Sequence, residues 1–261
     1  MGIFDDQVNL YTRYRARLQF RDRLMGGTPK NPKMIEGWLR SKAGIDQQEE
    51  LRQAMARTMI ELGHDVQPGA TFDEMVAASE KLASTKQTVG FKVEDEAPYI
   101  EARQVKAMLK ESTNILFAGD KWTGTNKGPR NVVAERVFIL PERISLGVPS
   151  IGGVEAIVGH ITGPQGPRAT LTYHEYVERP VVEFDVLIAE SKSARAYWRK
   201  LPSREDEAKL EGDMLTDDQW ALIWVHAQEN GLGALRSQGY GRFDIEAWDL
   251  VAAASKIREV A

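Results

Sequence analysis

The segment Gly231-Leu232-Gly233-Ala234-Leu235-Arg236-Ser237-Gln238-Gly239-Tyr240-Gly241-Arg242-Phe243 sets two Gly-x-Gly pairs on either side of an Arg-Ser step. Glycine reaches positive φ without steric cost and lets a ligand approach the backbone. Successive amides freed in this way form an anion-binding nest. Arg236 and Arg242 add forked donors suited to phosphate, and Tyr240 adds a ring on which a base can stack. The chemistry indicated is a grip on a phosphate-bearing chain; the plain alternative is a glycine-rich connection with no ligand. A dinucleotide-binding turn is disfavoured, because that motif lies between a strand and a following helix. Here the expected order is helix, loop, strand.

Other cations are grouped. Arg13, Arg15, Arg17 and Arg21 alternate with Tyr14, Ala16, Leu18 and Phe20, so they share one face of an expected strand. They form either a phosphate-tracking stripe or an ion-pair lattice. The acids Glu183, Asp185, Asp244 and Glu246 on neighbouring expected strands favour the lattice. Lys121, Trp122, Lys127 and Arg130 stand in a polar Gly/Thr-rich loop over Gly119 to Asn131, read equally as a basic arm and as a solvated tip. Arg103, Lys106 and Lys110 share a helix face. The four histidines, His64, His160, His174 and His226, form no metal spacing and no legible triad. His226, one turn before the glycine loop, reads as a core or partly exposed helix residue, with a general base as the functional alternative.

Hydrophobic periodicity gives the elements that must position these groups. Tyr14 to Phe20 reads as a strand, and Gly26-Gly27-Thr28-Pro29 ends it. Met34 to Arg40 reads as a short helix. Residues 46–115 read as helical throughout, with helices over Gln47 to Leu62, after Thr71 (a capping box with Glu74) and over Tyr99 to Lys110. Val132 to Leu140 and Ile144 to Gly147 read as strands. Val154 to Ile161 and Ala169 to Tyr176 form a hairpin around Gly163 to Pro167. Val182 to Ile188 is a strand, and Ser191 to Gly212 a charged loop with a helical piece. Thr216 opens a helix that buries Trp220, Ile223, Trp224 and Ala227 and stops at Asn230-Gly231. The last strand, Arg242 to Leu250, is expected to point Phe243, Ile245 and Ala247 inward. The sum is an α+β chain: a ferredoxin-like (RRM-like) βαββαβ core from residues 1–45 and 115–261, interrupted by a helical insertion at 46–114.

A chain of 261 residues, 42% hydrophobic and 28% charged, has an ordinary globular composition. The net charge of −4 confines any phosphate contact to a local patch. The absence of cysteine excludes disulfides and thiolate metal sites. No stretch reads as a signal peptide or membrane span, so a cytoplasmic protein with no membrane contact and no cofactor is expected.

Four stretches, in order, resemble the RAMP superfamily, the repeat-associated proteins that form the backbone of CRISPR effector complexes. The glycine loop is similar to the family's Gly-x-Gly…Arg-Ser-x-Gly-aromatic-Gly loop between last helix and last strand. Tyr14 to Gly27 resembles the first strand and its following glycine. Pro32-Lys33-Met34-Ile35-Glu36-Gly37-Trp38-Leu39-Arg40 resembles the entry into the first helix, without the family's Gly-Ser-Ser. Glu175 to Ile188 resembles the strand after the hairpin. The resemblance implies single-stranded nucleic-acid binding, RNA of guide type above all. Copies of the chain would assemble along the strand, with other effector-complex subunits. It carries over Gly231, Gly233, Arg236, Ser237, Gly239 and Gly241 as loop positions, and Lys33 and Arg40 more weakly. Family processing enzymes use a histidine near the first helix, and target-cleaving subunits an aspartate in the loop before it. Residues 26–31 have neither, so binding without cleavage is expected. An endoribonuclease using His226 or Asp120, and a partner-binding subunit without nucleic acid, are the alternatives.

Overall fold

The computed structural model describes residues 11–32, 35–36, 39–40, 48–62, 64–81, 88–118, 129–163, 166–189 and 215–252. The chain forms β1 (Tyr11–Phe20), β2 (Arg23–Met25), β3 (Thr28–Pro29), α1 (Gln48–Glu61), α2 (Phe72–Lys81), β4 (Thr88–Gly90), β5 (Lys92–Glu94) and β6 (Ala97–Glu101). It continues through α3 (Ala102–Leu116), α4 (Pro129–Arg136), β7 (Val137–Leu140), β8 (Arg143–Ser145), β9 (Gly153–Gly163) and β10 (Gly166–Glu178). It closes with β11 (Val181–Ala189), α5 (Asp217–Asn230) and β12 (Phe243–Ala252). The protein is of the mixed α+β class. Among the described residues no helix is long and apolar enough to cross a membrane.

The main sheet has the order β12-β1-β11-β7, and every neighbouring pair is antiparallel. Period-two alternation does its expected work here. Ala16, Leu18 and Phe20 of β1 and Val182, Phe184, Val186 and Ile188 of β11 are buried on one face. Helices α3 and α5 cover that face, and Val105, Met108, Leu109, Trp220, Ile223, Trp224 and Ala227 join the same core cluster. Helix α5 starts at a reciprocal cap: Gln219 N–H donates to Thr216 Oγ1 at 3.2 Å, and Thr216 N–H donates to Gln219 Oε1 at 3.0 Å. Beside this sheet lie a second, β2-β10-β4-β3 with β9 paired to β10, and a small third, β5-β6-β8. Helices α1 and α2 build a separate apolar cluster that includes Met55, Met59 and Met75. Ile35 and Leu39, from the short helix expected over Met34–Arg40, belong to that cluster and not to the main sheet's core.

Three expectations are corrected. Residues 46–115 are not helical throughout, since β4, β5 and β6 occupy 88–101 and α3 begins only at Ala102. Strands of three to five residues show too little alternation to be read. The β5–β6 turn is Asp95-Glu96, left-handed at both residues (φ 49° and 67°) as tight hairpins need, without the Asn-Gly mark. Secondly, Val132 to Leu140 is not one strand. Pro129 opens α4, which buries Val132 and Val133, and the strand begins at Val137. Thirdly, Ala247 does not point inward. The β1–β12 register shifts between Arg17 and Leu18, pairing Arg17 with Ala247 and Ala16 with Trp248. The bulge reverses the phase. Trp248 therefore turns to the helices, stacking on Tyr14 at 4.6 Å and meeting Trp224 edge-on at 5.3 Å.

The opposite face of the sheet is charged. Arg13 pairs with Asp185, and Arg15 Nε lies 3.1 Å from the same carboxylate. Arg17 Nε lies 2.9 Å from Glu246, and Arg21 lies 2.8 Å from Asp244 and 2.6 Å from Glu229. Burial pushes the Asp185 carboxyl up, but hydrogen bonds from Arg13 and Arg15 outweigh it and hold the group below its ordinary range. Arg13, Arg15 and Arg17 of β1, with Arg21 just after it, thus form the ion-pair lattice.

Candidate functional site

The glycine loop leaves α5 at Gly231, whose N–H donates to Ala227 O at 2.8 Å. Leu232 N–H donates to Gly241 O at 2.9 Å and closes the base of the loop. Two more amides sew it to β2: Ala234 N–H to Met25 O and Gly241 N–H to Arg23 O, each at 3.0 Å. The tip is a 3₁₀ turn, Arg236–Gln238, between left-handed Leu235 (φ 57°) and Gly239 (φ 92°). Gln238 and Gly239 donate within the tip to Leu235 O and Arg236 O. These six amides are committed inside the fold, so a ligand does not meet a nest built from them.

The glycines are required for two different reasons. A Cβ on Gly241 (φ 74°) would run into the carbonyl oxygen of Leu232, and one on Gly233 (φ 89°) into Leu24 and Met25. Gly239 has open space around it, and only its φ disfavours a side chain. Gly241→Ala is therefore expected to destabilise the protein by about 2–4 kcal/mol through strain and clash together. Gly239→Ala, with the φ cost alone, should cost about 1–2 kcal/mol. Urea unfolding of the two variants checks the difference; equal losses would contradict the packing argument.

Loop side chains divide by environment. Ser237 is exposed at the tip. Arg236 reaches α3, its Nη1 2.7 Å from Glu111 Oε2. Burial pushes the Glu111 carboxyl up, but the Arg236 guanidinium outweighs it and holds the group below its usual value. Arg242 is exposed and only loosely paired, its Nε 3.9 Å from Glu229. Tyr240 is turned towards the long hairpin: its hydroxyl donates to Glu155 Oε1 at 3.4 Å, and burial with that carboxylate raises its pKa. Glu155 also takes Arg23 at 2.9 Å, and Arg23 lies 4.3 Å over the Tyr176 ring. Between loop and helix runs an open groove of about 180 Å³ lined by Gln104, Ala107, Glu111, Leu232, Gly233 and Arg236. A tighter cleft with Gly27, Gly90, Phe91 and Glu101 shares Gln104 and Gly233 with it.

The remaining expected residues are scattered. Arg40 pairs with Glu36 at 3.1 Å on its own helix turn. Arg130 is exposed at the start of α4. Lys33, Lys121, Trp122, Lys127 and Asp120 lie outside the described residues. His226 Nδ1 meets the hydroxyl of buried Ser112 at 3.0 Å, tying α5 to α3. His174 Nδ1 lies 3.3 Å from Gly26 O. Burial and the nearby Lys30 charge lower the pKa of His64. No group of three or more metal-ligating side chains occurs among the described residues. Sequence reasoning missed Glu111, because its distance from Arg236 along the chain leaves no local signal.

A scan against protein-family models matches no family, and a search of the curated proteins returns no match.

Proposed function

We propose that this chain holds single-stranded nucleic acid, RNA of guide type, without cutting it, and that several copies line up along one strand. The proposal takes the main sheet and its two covering helices as a ferredoxin-like core. Counting β1, β7, β11 and β12 as first to fourth, the sheet order is fourth-first-third-second, which fits that arrangement. The observation that carries the reading is the loop tip. Backbone bonds fix its shape, and it places Arg236 in the lining of the α3 groove, with Ser237 exposed beside it in sequence. Phosphate contacts then come from side chains, with Glu111 as the internal carboxylate a phosphate must displace.

That competition gives a test. Glu111→Gln removes the rival charge and should raise affinity for a labelled single-stranded oligonucleotide by roughly three- to tenfold. In the same titration, RNA incubated with Mg²⁺ should stay intact. Specific product bands that disappear in His226→Ala or Asp120→Ala would replace this reading with a nuclease. Absence of binding at low salt would leave a partner-binding subunit, which the acid-paired arginine face also suits. The mass of the protein in solution with and without the strand tests the stacking of copies.

A further inference from the structure

Most described cations have an acidic partner, and three of the exceptions lie on two helices that pack together. The outer arginines of β1, together with Arg23, Lys30, Lys92, Arg143 and Arg236, are all engaged by carboxylates. Lys106 and Lys110, one turn apart on α3, have no acidic partner among the described residues. Neither has Arg130, on the helix α4 that packs against α3. Two like charges at that spacing repel. Burial, and then the Lys110 charge, lower the pKa of Lys106. An arriving anion relieves both costs.

The second observation is aromatic. Lys106 Nζ lies 5.2 Å from the ring centroid of Phe138, on edge strand β7. Phe138 is 42% exposed although it sits in a strand, and it meets Tyr11, itself 38% exposed, edge-on at 5.9 Å. Leu140, the next residue on that side of β7, is 45% exposed. Rings left this open, beside ammonium groups that have no acidic partner among the described residues, suit both things a nucleotide brings: a base to stack and a phosphate to neutralise. An acidic peptide would use the lysines and waste the rings.

The third observation is position. Ala107 and Glu111 line the groove under the glycine loop. Lys106 and Lys110 each precede one of them by one residue, about 100° round the same helix. We infer that a single strand gripped at Arg236 crosses α3 to the β7 edge, where Lys106 and Lys110 take its phosphates and Phe138 with Tyr11 takes a base. This rests on the proposed function and adds a second contact that the glycine loop does not supply. Arg130 extends the basic side of the path along α4.

The experiment compares an oligonucleotide of about 6 nucleotides with one of about 20, titrated against the full chain and three variants. Lys106→Ala/Lys110→Ala should weaken the long strand by about tenfold, flatten its salt dependence by about 1.4 units, and leave the short strand unchanged. Phe138→Ala should weaken the long strand but not its abasic counterpart. Ultraviolet cross-linking of a thiouridine-bearing strand should mark the peptides that hold Tyr11 or Phe138. Unchanged long-strand binding in both variants, with binding lost in Arg236→Glu, overturns this inference and leaves the proposed function standing. No binding by the unaltered protein to either strand overturns both. Binding to phosphatidylserine vesicles in preference to RNA, abolished by the lysine pair, would make the patch a membrane contact and overturn it equally.

Discussion

Arg236→Glu is expected to lower single-strand affinity by about a hundredfold. Three effects act in one direction. A forked, charge-assisted phosphate contact is lost, and such bonds are among the strong ones. A carboxylate takes its place at the mouth of the groove. Glu111 loses its partner, so two acids face the incoming phosphate where one cation stood 2.7 Å from its acid. The loop should keep its shape, because its base and its contacts with β2 are backbone hydrogen bonds. A filter-binding titration over a range of salt reads the result: weaker binding, with the slope of log affinity against log salt reduced by about one unit. Arg236→Lys separates charge from geometry, and recovery of about half the lost binding energy is expected, since ammonium replaces the point charge but not the fork. Unchanged affinity in Arg236→Glu would falsify the assignment of the loop as a grip.

The largest expected effect on stability is that of Glu175→Ala. Glu175 lies on β10 with its side chain 8% exposed, and it accepts from Lys30 Nζ at 2.6 Å and from Phe91 N–H at 3.0 Å. The carboxylate thus joins three segments: β10, the stretch after β3 and the turn after β4. Gly90 is the condition for it, since a Cβ there would occupy the space of the Glu175 carboxylate. Removing one member of a buried pair leaves the other charge uncompensated, which costs about 3–5 kcal/mol. The Lys30 side chain is only 17% exposed, so water reaches it poorly. Glu175→Gln keeps an acceptor for Phe91 N–H and should lose less. Urea unfolding followed by circular dichroism, with an unchanged m-value, checks both.

Much of the main sheet was legible because its strands are long and half-buried. Alternation in β1 and β11, the Thr216 cap and the hairpin of β9 and β10 all stand near their expected places. The ion-pair lattice was legible too, because strand order puts Glu183, Asp185, Asp244 and Glu246 beside the arginines. What stayed hidden is non-local or short. Strands β4 to β6 draw their register from β10, β8 and each other, and so leave little pattern of their own. The bulge that brings Trp248 inward is set by pairing with β1. In the loop, four glycines suggested open amides, yet the same flexibility lets those amides reach Arg23, Met25 and Gly241. The sequence marks where the backbone bends but does not reveal what it bends towards. The Phe138 platform was invisible for the same reason: an exposed ring on an edge strand reads like any core residue.

The way the glycine loop is fastened separates its shape from its message. Its stitches to β2 and across its own base run between main-chain atoms, so they are indifferent to the identities of Ser237 and Gln238. Descendants of this chain, or a designer, can rewrite those positions without renegotiating the fold. Recognition at the tip is therefore free to change, while Gly231, Gly233 and Gly241 beneath it are held still by close packing.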